Sequence, residues 1–576
     1  NNKLIQSLLL SETEEVYATI KNHCEYFSFE DMIEAFELAI PSKEQKINGA
    51  VYTPEIIKDF IVEKGLKKLQ KPINEIIAGD IACGCGAFLF TLANLIHDKT
   101  EKSYREIYKE QLFGLDISES SIERAKILLS LLAIENGEDE IDFDFNLFTA
   151  NALAFDWKQV TKIEENKGFD LIVGNPPYVR TKNMDVETKK LLKKWQVTKS
   201  GNPDLYIPFF EIGIKNLNEK GVLGYITVNS FYRSVNARSL RTYWQFKNLG
   251  AEIIDFGDEK IFGRKSAYTC ICFLSKNKSE TLSFTKSNLN TLKSIEKKDF
   301  TPIAYKSLNA HRGWLLNNSK AIDNIQKIEA KGASLGSLYT IKNGIATLSN
   351  DVYIFKPLEE TDQYYRFEKD GKTYQIEKGI CRDIIKPNIL KTESEIPSIK
   401  EKLIYPYTNG VSPYAVMKED ALQSNFPSTY QYLSNYRERL DKRDKGKGDY
   451  GAWYAFGRTQ ALNDKGLKLL FPYMAKQPYF VYTNQKDLLI YCGYAIFADT
   501  ERELLVLKRL LESKVFDYYM KNTSKPYSGG YVSYAKNYVK NFGVCELEEE
   551  EKEFLLNTQS QKETDIFWID KYELTF

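Results

Sequence analysis

The chain has 576 residues, too many for a single hydrophobic core, so we expect at least two domains. Its 79 basic and 79 acidic residues balance, and no overall positive field indicates a nucleic-acid partner, although residues 189–199 and 521–540 are locally basic. Three histidines and eight scattered cysteines disfavour histidine-based catalysis, a metal site and disulfide bonds. No apolar run reaches the length of a membrane span and no signal peptide is recognisable, which predicts a cytoplasmic protein with no membrane partner.

The N-terminal part predicts helices. Residues 1–46 have the pattern of amphipathic helices, for example 29–40, which would end at Pro41, and we interpret them as a packing extension without chemistry. Further on, Thr53 followed by Pro54 predicts a helix cap at the start of a helix over 55–69.

Residues 76–89 predict a strand, a glycine-rich turn and a helix. Gly84 and Gly86 would let a ligand approach the backbone, and the helix amides that follow favour a carboxylate or a phosphate. The turn lacks the Gly-Lys-Ser/Thr of a Walker loop, and Leu89 stands where a dinucleotide loop has its third glycine. ATP and NAD are therefore disfavoured as cofactors.

Two further strands are predicted to end in polar residues. The strand over 112–115 ends at Asp116, whose carboxylate suits the two hydroxyls of a ribose or, alternatively, caps the next helix; beside the glycine turn, the ribose interpretation is favoured. The stretch 143–149 leads to Asn151, whose amide could contact an adenine edge or cap a turn.

Asn175-Pro176-Pro177-Tyr178 follows the apolar run 169–174 and predicts a strand that stops at a stiff, extended turn. Further strands are predicted over 221–228, where a hairpin is the alternative, and over 253–256 and 268–274, the last preceded by Phe262. Strands and helices thus alternate from residue 49 to about 275, which is typical of a doubly wound α/β domain whose ligands bind at the carboxyl ends of the strands.

The composition changes after residue 300 and becomes rich in tyrosine, lysine and asparagine, with short predicted strands at 403–407 and 488–491. In stretches 453–460 and 524–531, aromatic residues alternate with arginine, lysine or glutamine. Such residues suit a surface that contacts phosphates and base edges, and a tyrosine-rich core with solvated lysines is the alternative.

Taken in order, Tyr52-Thr53-Pro54, the Gly84-Cys85-Gly86 turn and Asn175-Pro176-Pro177-Tyr178 resemble the motifs of the S-adenosyl-L-methionine-dependent DNA adenine-N6 methyltransferases of the gamma class, as found in type II restriction-modification systems. The resemblance implies an α/β, Rossmann-like doubly wound methyltransferase domain plus a mixed α+β C-terminal target-recognition domain. The implied boundaries are 1–46 for the N-terminal helical extension, 47–300 for the catalytic domain and 301–576 for DNA recognition.

The resemblance also implies roles for individual residues. The target base would be held by Asn175, Pro176, Pro177, Tyr178 and Phe262. The cofactor S-adenosyl-L-methionine would be bound by Tyr52, Thr53, Asp80, Ala82, Gly84, Gly86, Asp116, Ile117, Asn151 and Ala152, with Thr53 at its carboxylate, Asp116 at the ribose and Asn151 at the adenine. No metal is implied.

The implied partner is double-stranded DNA, bound by a monomer that flips its target adenine out of the helix. A cognate restriction endonuclease is a further possible partner. Two alternatives stay open for the activity, a protein glutamine-N5 methyltransferase and an RNA adenine-N6 methyltransferase, because an amide also presents an NH₂ group. A third alternative is a non-catalytic DNA-binding subunit on a methyltransferase scaffold.

Overall fold

The computed structural model of the chain describes residues 2–9, 28–38, 52–262, 268–408 and 415–576. Its contacts divide the chain into a first unit, Asn1–Ser319, and a second unit, Lys320–Phe576. Pro41, predicted to end the helix over 29–40, lies outside the described residues.

The first unit is built on a nine-stranded sheet. Its strands are β1 (Ala78–Asp80), β2 (Leu112–Asp116), β3 (Asn146–Thr149), β4 (Phe169–Gly174), β5 (Leu217–Val228), β6 (Leu249–Asp255), β7 (Thr269–Lys278), β8 (Thr281–Lys286) and β9 (Thr301–Ala304). The order in the sheet is β3-β2-β1-β4-β5-β7-β6-β8-β9. Strands β1 to β5 run parallel, whereas β7 is antiparallel to both of its neighbours. The strand order reverses between β1 and β4, the switch point at which open α/β sheets bind ligands.

The helices of the first unit alternate with these strands, as predicted. They are α1 (Lys3–Leu9), α2 (Phe29–Leu38), α3 (Glu55–Lys68), α4 (Ala87–Thr100), α5 (Tyr104–Glu110), α6 (Glu119–Glu135), α7 (Thr161–Glu165), α8 (Val186–Leu192), α9 (Tyr206–Asn216) and α10 (Arg238–Lys247). Strands β8 and β9 extend the sheet beyond the last strand that was predicted.

Helices cover both faces of the sheet, as the neighbours of Leu223 and Gly224 in β5 show. A Cβ added to Gly224 would lie 3.0 Å from Ile61 of α3, whereas one added to Gly213 of α9 would lie 2.7 Å from Leu223. Because successive strand residues point to opposite faces, α3 and α9 pack on opposite sides. Each fully buried residue such as Ile61 contributes about 1.5–3 kcal/mol to this packing. The α/β fold class predicted from the alternation of strands and helices is thereby confirmed.

The predicted helix cap at Thr53 is wrong. Helix α3 begins at Glu55 as expected, but Pro54 occupies the capping position and no side chain caps the helix. The hydroxyl of Thr53 instead accepts a hydrogen bond from the Asn175 side chain, 3.0 Å away and 122 residues distant in sequence. Thr53 thus makes a long-range hydrogen bond to Asn175 instead of the local helix cap that was predicted.

The second unit is mixed α+β and consists of short elements. Its strands are β10 (Ala333–Ser334), β11 (Thr340–Asn343), β12 (Ile354–Phe355), β13 (Glu359–Glu360), β14 (Tyr364–Lys369), β15 (Lys372–Glu377), β16 (Cys381–Ile385), β17 (Glu401–Ile404), β18 (Lys468–Phe471), β19 (Met474–Ala475), β20 (Val481–Thr483), β21 (Leu489–Ile490), β22 (Tyr494–Phe497), β23 (Pro526–Tyr527), β24 (Tyr531–Ser533) and β25 (Gly543–Val544). They form several small sheets, of which β11-β22-β18-β20 and β12-β17-β16-β21 have four strands each.

The helices of this part of the chain, the first of which begins at the unit boundary, are α11 (Ser319–Ala330), α12 (Leu335–Leu338), α13 (Asn350–Tyr353), α14 (Ile396–Ile399), α15 (Glu419–Asn425), α16 (Pro427–Asn435), α17 (Arg437–Asp441), α18 (Glu501–Leu511), α19 (Lys514–Thr523), α20 (Lys536–Val539), α21 (Glu549–Asn557) and α22 (Gln561–Lys571). None of the helices within the described residues is both long and apolar enough to cross a membrane.

Candidate functional site

A cavity opens at the carboxyl ends of β1 to β4, at the switch point of the sheet. Most of the residues predicted to bind a cofactor line it, namely Thr53, Asp80, Ala82, Gly84, Asp116, Ile117, Asn151 and Ala152. Asn175 and Pro177 of the Asn-Pro-Pro-Tyr motif line the same cavity. The fold therefore brings segments more than 120 residues apart in sequence to one place.

Asp80 ends β1 with its side chain buried, 2% exposed. Its carboxylate accepts a hydrogen bond from the Ala82 amide at 2.9 Å. Burial, together with the nearby carboxylates of Asp116 and Glu37, raises the pKa of Asp80 to about 8. A positively charged group in the cavity would lower this pKa again, so the site is suited to a cationic ligand.

Gly174, the last residue of β4, makes room for this carboxylate. A Cβ at Gly174 would lie 2.6 Å from Oδ1 of Asp80, and the φ of Gly174, +156°, is one that residues with a side chain rarely adopt. The glycine before the Asn-Pro-Pro-Tyr motif thus lets the ends of β1 and β4 approach each other.

Asp116 holds the glycine turn against the end of β2. One carboxylate oxygen accepts from the Gly84 amide at 3.0 Å and the other from the Ser118 amide at 2.9 Å. Helix α6 is capped by the hydroxyl of Ser118, which accepts from the Ser121 amide. Burial raises the pKa of Asp116, and these amides partly offset that effect. Asp116 thus does not itself cap α6, and its carboxylate lies in the cavity wall.

Asn151 follows β3 and caps a turn while it lines the cavity. Its side-chain oxygen accepts from the Leu153 amide at 3.0 Å. Asn151 therefore caps a turn, one of the two roles considered from the sequence. The same side chain also lines the cavity, next to the space that a ligand would fill.

Asn175 is held by the loop that precedes α3. Its Nδ2 donates to the hydroxyl oxygen of Thr53 at 3.0 Å, which fixes the plane of the amide. Pro176 is buried beside it, and Pro177 returns to the cavity wall. Neither proline has an N–H, so the backbone here presents carbonyl oxygens without competing donors.

Tyr178 and Phe262 were predicted to hold the target base; they are not among the residues that line the cavity, and their rings are neighbours. Their ring centroids are 6.3 Å apart, and the ring of Tyr206 lies edge-on to Tyr178 at 6.4 Å. The Tyr178 hydroxyl donates to the carbonyl of Ile226 at 3.3 Å. The predicted pair of aromatic residues is thus adjacent in space, 84 positions apart in sequence.

Tyr52 and Gly86, also predicted to bind the cofactor, are not among the residues that line the cavity and instead support neighbouring segments. The Tyr52 hydroxyl donates to the carboxylate of Glu30 at 2.5 Å. Gly86 has a φ of +91°, and a Cβ there would lie 2.9 Å from the Cβ of Ala125, so this glycine lets the turn pack against α6.

Several cavity residues were missed from the sequence. Glu37 comes from the N-terminal helix α2, whereas Met184, Asp185, Thr188 and Phe209 come from the segment after the Asn-Pro-Pro-Tyr motif. Asp185 caps α8 by accepting from the Thr188 amide at 2.7 Å, a pattern that the sequence Asp185-Val186-Glu187-Thr188 carries.

The charge of the cavity is one-sided. Four carboxylates line it, those of Glu37, Asp80, Asp116 and Asp185, and none of its described lining residues is a lysine, an arginine or a histidine. S-adenosyl-L-methionine carries a sulfonium, an ammonium and a carboxylate and is cationic overall, with two ribose hydroxyls that carboxylates can accept from. The residues present therefore fit this group by charge and by hydrogen-bonding character.

The two aromatic stretches of the second unit differ in their surroundings. In stretch 453–460, Tyr454 and Phe456 are buried in the core, and Arg458 pairs with Asp444 at 2.7 Å. In stretch 524–531, Lys525 lies over the ring of Tyr527 in the hairpin of β23 and β24. The first stretch thus contains a core tyrosine and a core phenylalanine, close to the alternative interpretation, whereas the second keeps an exposed aromatic residue, Tyr531.

Comparisons with known proteins agree with this architecture. Residues 110–262 match the model of the Eco57I restriction-modification methylase family. The chain is 26% identical over 485 residues to the type II restriction enzyme and methyltransferase RM.Eco57I of Escherichia coli, covering 74% of this chain and 49% of that protein. It is also 21% identical over 569 residues to the type II methyltransferase M.BstVI of Geobacillus stearothermophilus, covering 92% and 97% of the two chains.

Two solved structures share the fold. The type IIL restriction-modification enzyme MmeI, solved in complex with DNA, superposes with a TM-score of 0.63 at 15% identity and covers 92% of this chain and 72% of that one. A nuclease-deletion mutant of the type ISP enzyme LlaGI, solved with a DNA substrate mimic, gives a TM-score of 0.54 at 14% identity, over 88% and 46% of the two chains. The chain is thus similar to the DNA methyltransferases of restriction-modification systems, and through residues 110–262 to their Eco57I methylase family, while it spans about half the length of RM.Eco57I. The resemblance drawn from the motifs is confirmed to that extent.

Proposed function

We propose that the chain transfers the methyl group of S-adenosyl-L-methionine to N6 of an adenine in duplex DNA, as a gamma-class enzyme. The observation that carries the proposal is that Asn175, at the end of β4, lines the same cavity as the acidic residues at the ends of β1 and β2. A side chain that can accept hydrogen bonds from an amine thus lies next to acidic residues that suit a cationic cofactor.

The cofactor would be held by the residues that line the cavity. Asp116 would accept from the ribose hydroxyls, Asn151, Ala152 and Ile117 would contact the adenine, and Asp80 and the turn from Ala82 to Gly84 would surround the amino-acid portion. Thr53 lies next to this portion, and Tyr52 and Gly86 support the surrounding segments. When bound, this cofactor supplies an electrophilic methyl group.

Asn175 would prepare the target amine. The lone pair of an adenine N6 is delocalised into the ring, which makes the nitrogen a poor nucleophile. If Oδ1 of Asn175 and the carbonyl of Pro176 accept its two N–H bonds, the nitrogen becomes pyramidal and its lone pair points at the methyl group. Thr53 would hold Nδ2 of the amide while Oδ1 accepts from the substrate amine.

Proton transfer does not require a strong base in this scheme. The nitrogen would gain a bond to the methyl carbon as the bond between that carbon and the cofactor sulfur breaks, and the N6 proton would become acidic only after the nitrogen has turned cationic. Water can then accept it. The reaction would therefore be favoured mainly by positioning.

Tyr178 and Phe262 would hold the flipped base. Stacking on an aromatic ring contributes roughly 1–3 kcal/mol per base, which is comparable to the cost of unstacking. The second unit would then read the sequence, with the 524–531 hairpin as one candidate contact. A monomer on DNA, a cognate restriction endonuclease as partner and a cytoplasmic location complete the proposal.

Methyl transfer to defined polymers tests this function. The full chain is incubated with methyl-labelled cofactor and, separately, duplex DNA, RNA of the same sequence, or a protein fraction. Label in the duplex alone supports the proposal. Label in the protein or the RNA supports one of the two rival methyltransferases, and DNA binding without transfer to any polymer supports the non-catalytic subunit.

A further inference from the structure

The N-terminal helix α2 reaches the cavity through Glu37, a residue that the cofactor motifs do not include. The side chain of Glu37 lines the cavity together with Asp80 and Gly84. A Cβ at Gly84 would lie 3.1 Å from Oε1 of Glu37, so the carboxylate lies next to the glycine turn. The turn has no side chain at this position, and the carboxylate occupies the space beside it.

Helix α2 is firmly attached to the first unit. The buried ammonium of Lys58 on α3 lies 2.9 Å from the Glu30 carboxylate, which also accepts from the Tyr52 hydroxyl. Ile33 is fully buried against Ala87 and Leu128, and the rings of Phe29 and Phe90 lie 5.0 Å apart. These contacts make α2 part of the wall of the domain.

Glu37 follows Ile33 by one helical turn, so both side chains lie on the same face of α2. Because Ile33 contacts Ala87, the first residue of α4, this face is directed at the end of the glycine turn. The position of Glu37 is thereby determined by packing one turn earlier in the helix.

The charge of Glu37 acts on the turn below it. Burial raises the pKa of the Cys85 thiol to about 12, with the Glu37 carboxylate as the next cause, while the guanidinium of Arg124 acts in the opposite direction. Glu37 also contributes to the raised pKa of Asp80, after burial and Asp116. Two carboxylates, from α2 and from β1, therefore flank one side of the cavity.

We propose that Glu37 binds the ammonium of the cofactor's amino-acid portion, together with Asp80, and makes the N-terminal helix part of the cofactor site. The inference rests on the proposed function, because the ammonium belongs to the proposed cofactor. It assigns the glycine-turn end of the cavity to the amino-acid portion and the end near Asn151 to the adenine. An ammonium between two carboxylates would keep both of them ionised.

The test compares two ligands that differ in this group. S-adenosylhomocysteine carries the ammonium, whereas 5′-methylthioadenosine has the same nucleoside without the amino acid. Their affinities for the full chain are measured by calorimetry with the wild type, with Glu37→Gln, and with Glu34→Gln as a matched control on an exposed position of the same helix. Glu37→Asp, which keeps the charge on a shorter side chain, is expected to lie between wild type and Glu37→Gln.

We expect Glu37→Gln to weaken S-adenosylhomocysteine about tenfold, equivalent to ~1.4 kcal/mol, while 5′-methylthioadenosine changes by less than about twofold. Glu34→Gln should leave both affinities as in the wild type. An unchanged affinity for S-adenosylhomocysteine in Glu37→Gln overturns the role of Glu37 but not the proposed function. An equal loss for both ligands also overturns it, because the side chain would then act on the shape of the site. If the wild type binds neither ligand, the proposed cofactor fails, and the role of Glu37 fails with it.

Discussion

The raised pKa of Asp80 predicts that cofactor binding depends on pH. Burial and two neighbouring carboxylates raise this pKa to about 8, so in the ligand-free protein the carboxyl group is mostly protonated at neutral pH. A cationic ligand binds the ionised form, and binding therefore releases a proton. Below a pKa of about 8, each pH unit changes the ionised fraction up to tenfold, equivalent to ~1.4 kcal/mol. Affinity should thus rise about tenfold between about pH 6 and about pH 7.

Calorimetry in buffers with different ionisation enthalpies measures both the affinity and the protons released. In this pH range the ligand's own ammonium stays protonated and does not contribute to the slope. Asp80→Asn is the matched control, since it has the same shape without a titrating group and should show weaker, nearly pH-independent binding. An affinity that is equal at both pH values in the wild type, with no proton release, would show that Asp80 does not ionise when the ligand binds.

Three substitutions test other contacts of the site. Gly174→Ala places a Cβ 2.6 Å from Oδ1 of Asp80 and should cost about 1–3 kcal/mol of unfolding free energy in urea titrations; unchanged stability would contradict the close approach. Thr53→Val removes the hydroxyl that accepts from Asn175, and the loss of this hydrogen bond costs about 1 kcal/mol. The substitution should lower kcat more than cofactor affinity, and a wild-type kcat would contradict the role of this hydrogen bond. Asp116→Ala should mainly weaken cofactor binding, and an unchanged dissociation constant would exclude a ribose contact.

The sequence predicted the parts of the fold and the site that are encoded locally. The glycine turn before α4, Asp116 at the end of β2 and Asn175 after β4 each follow a recognisable strand, and parallel strands bring their carboxyl ends to one edge. The outcome of folding at these positions is set within a few residues, which is why a pattern in the sequence suffices.

The parts that were missed depend on distant contacts. The hydroxyl of Thr53 could satisfy a helix cap or Asn175, and only the three-dimensional structure decides between them. Glu37 reaches the cavity because Ile33 packs on α4, a contact between segments more than 50 residues apart. Strand β8 joins the sheet by pairing with β6, and β9 joins it by pairing with β8; no local pattern specifies these partners.

The identity of the modified base decides whether Asn175 prepares an adenine amine for methylation. The wild-type chain and Asn175→Ala are each expressed in a host without DNA methylation, and the host genome is analysed by modification-sensitive sequencing. We expect N6-methyladenine at one recurring sequence with the wild type and none with Asn175→Ala, which should remain folded. A modified cytosine, an unmodified genome with the wild type, or N6-methyladenine that persists in Asn175→Ala would contradict it.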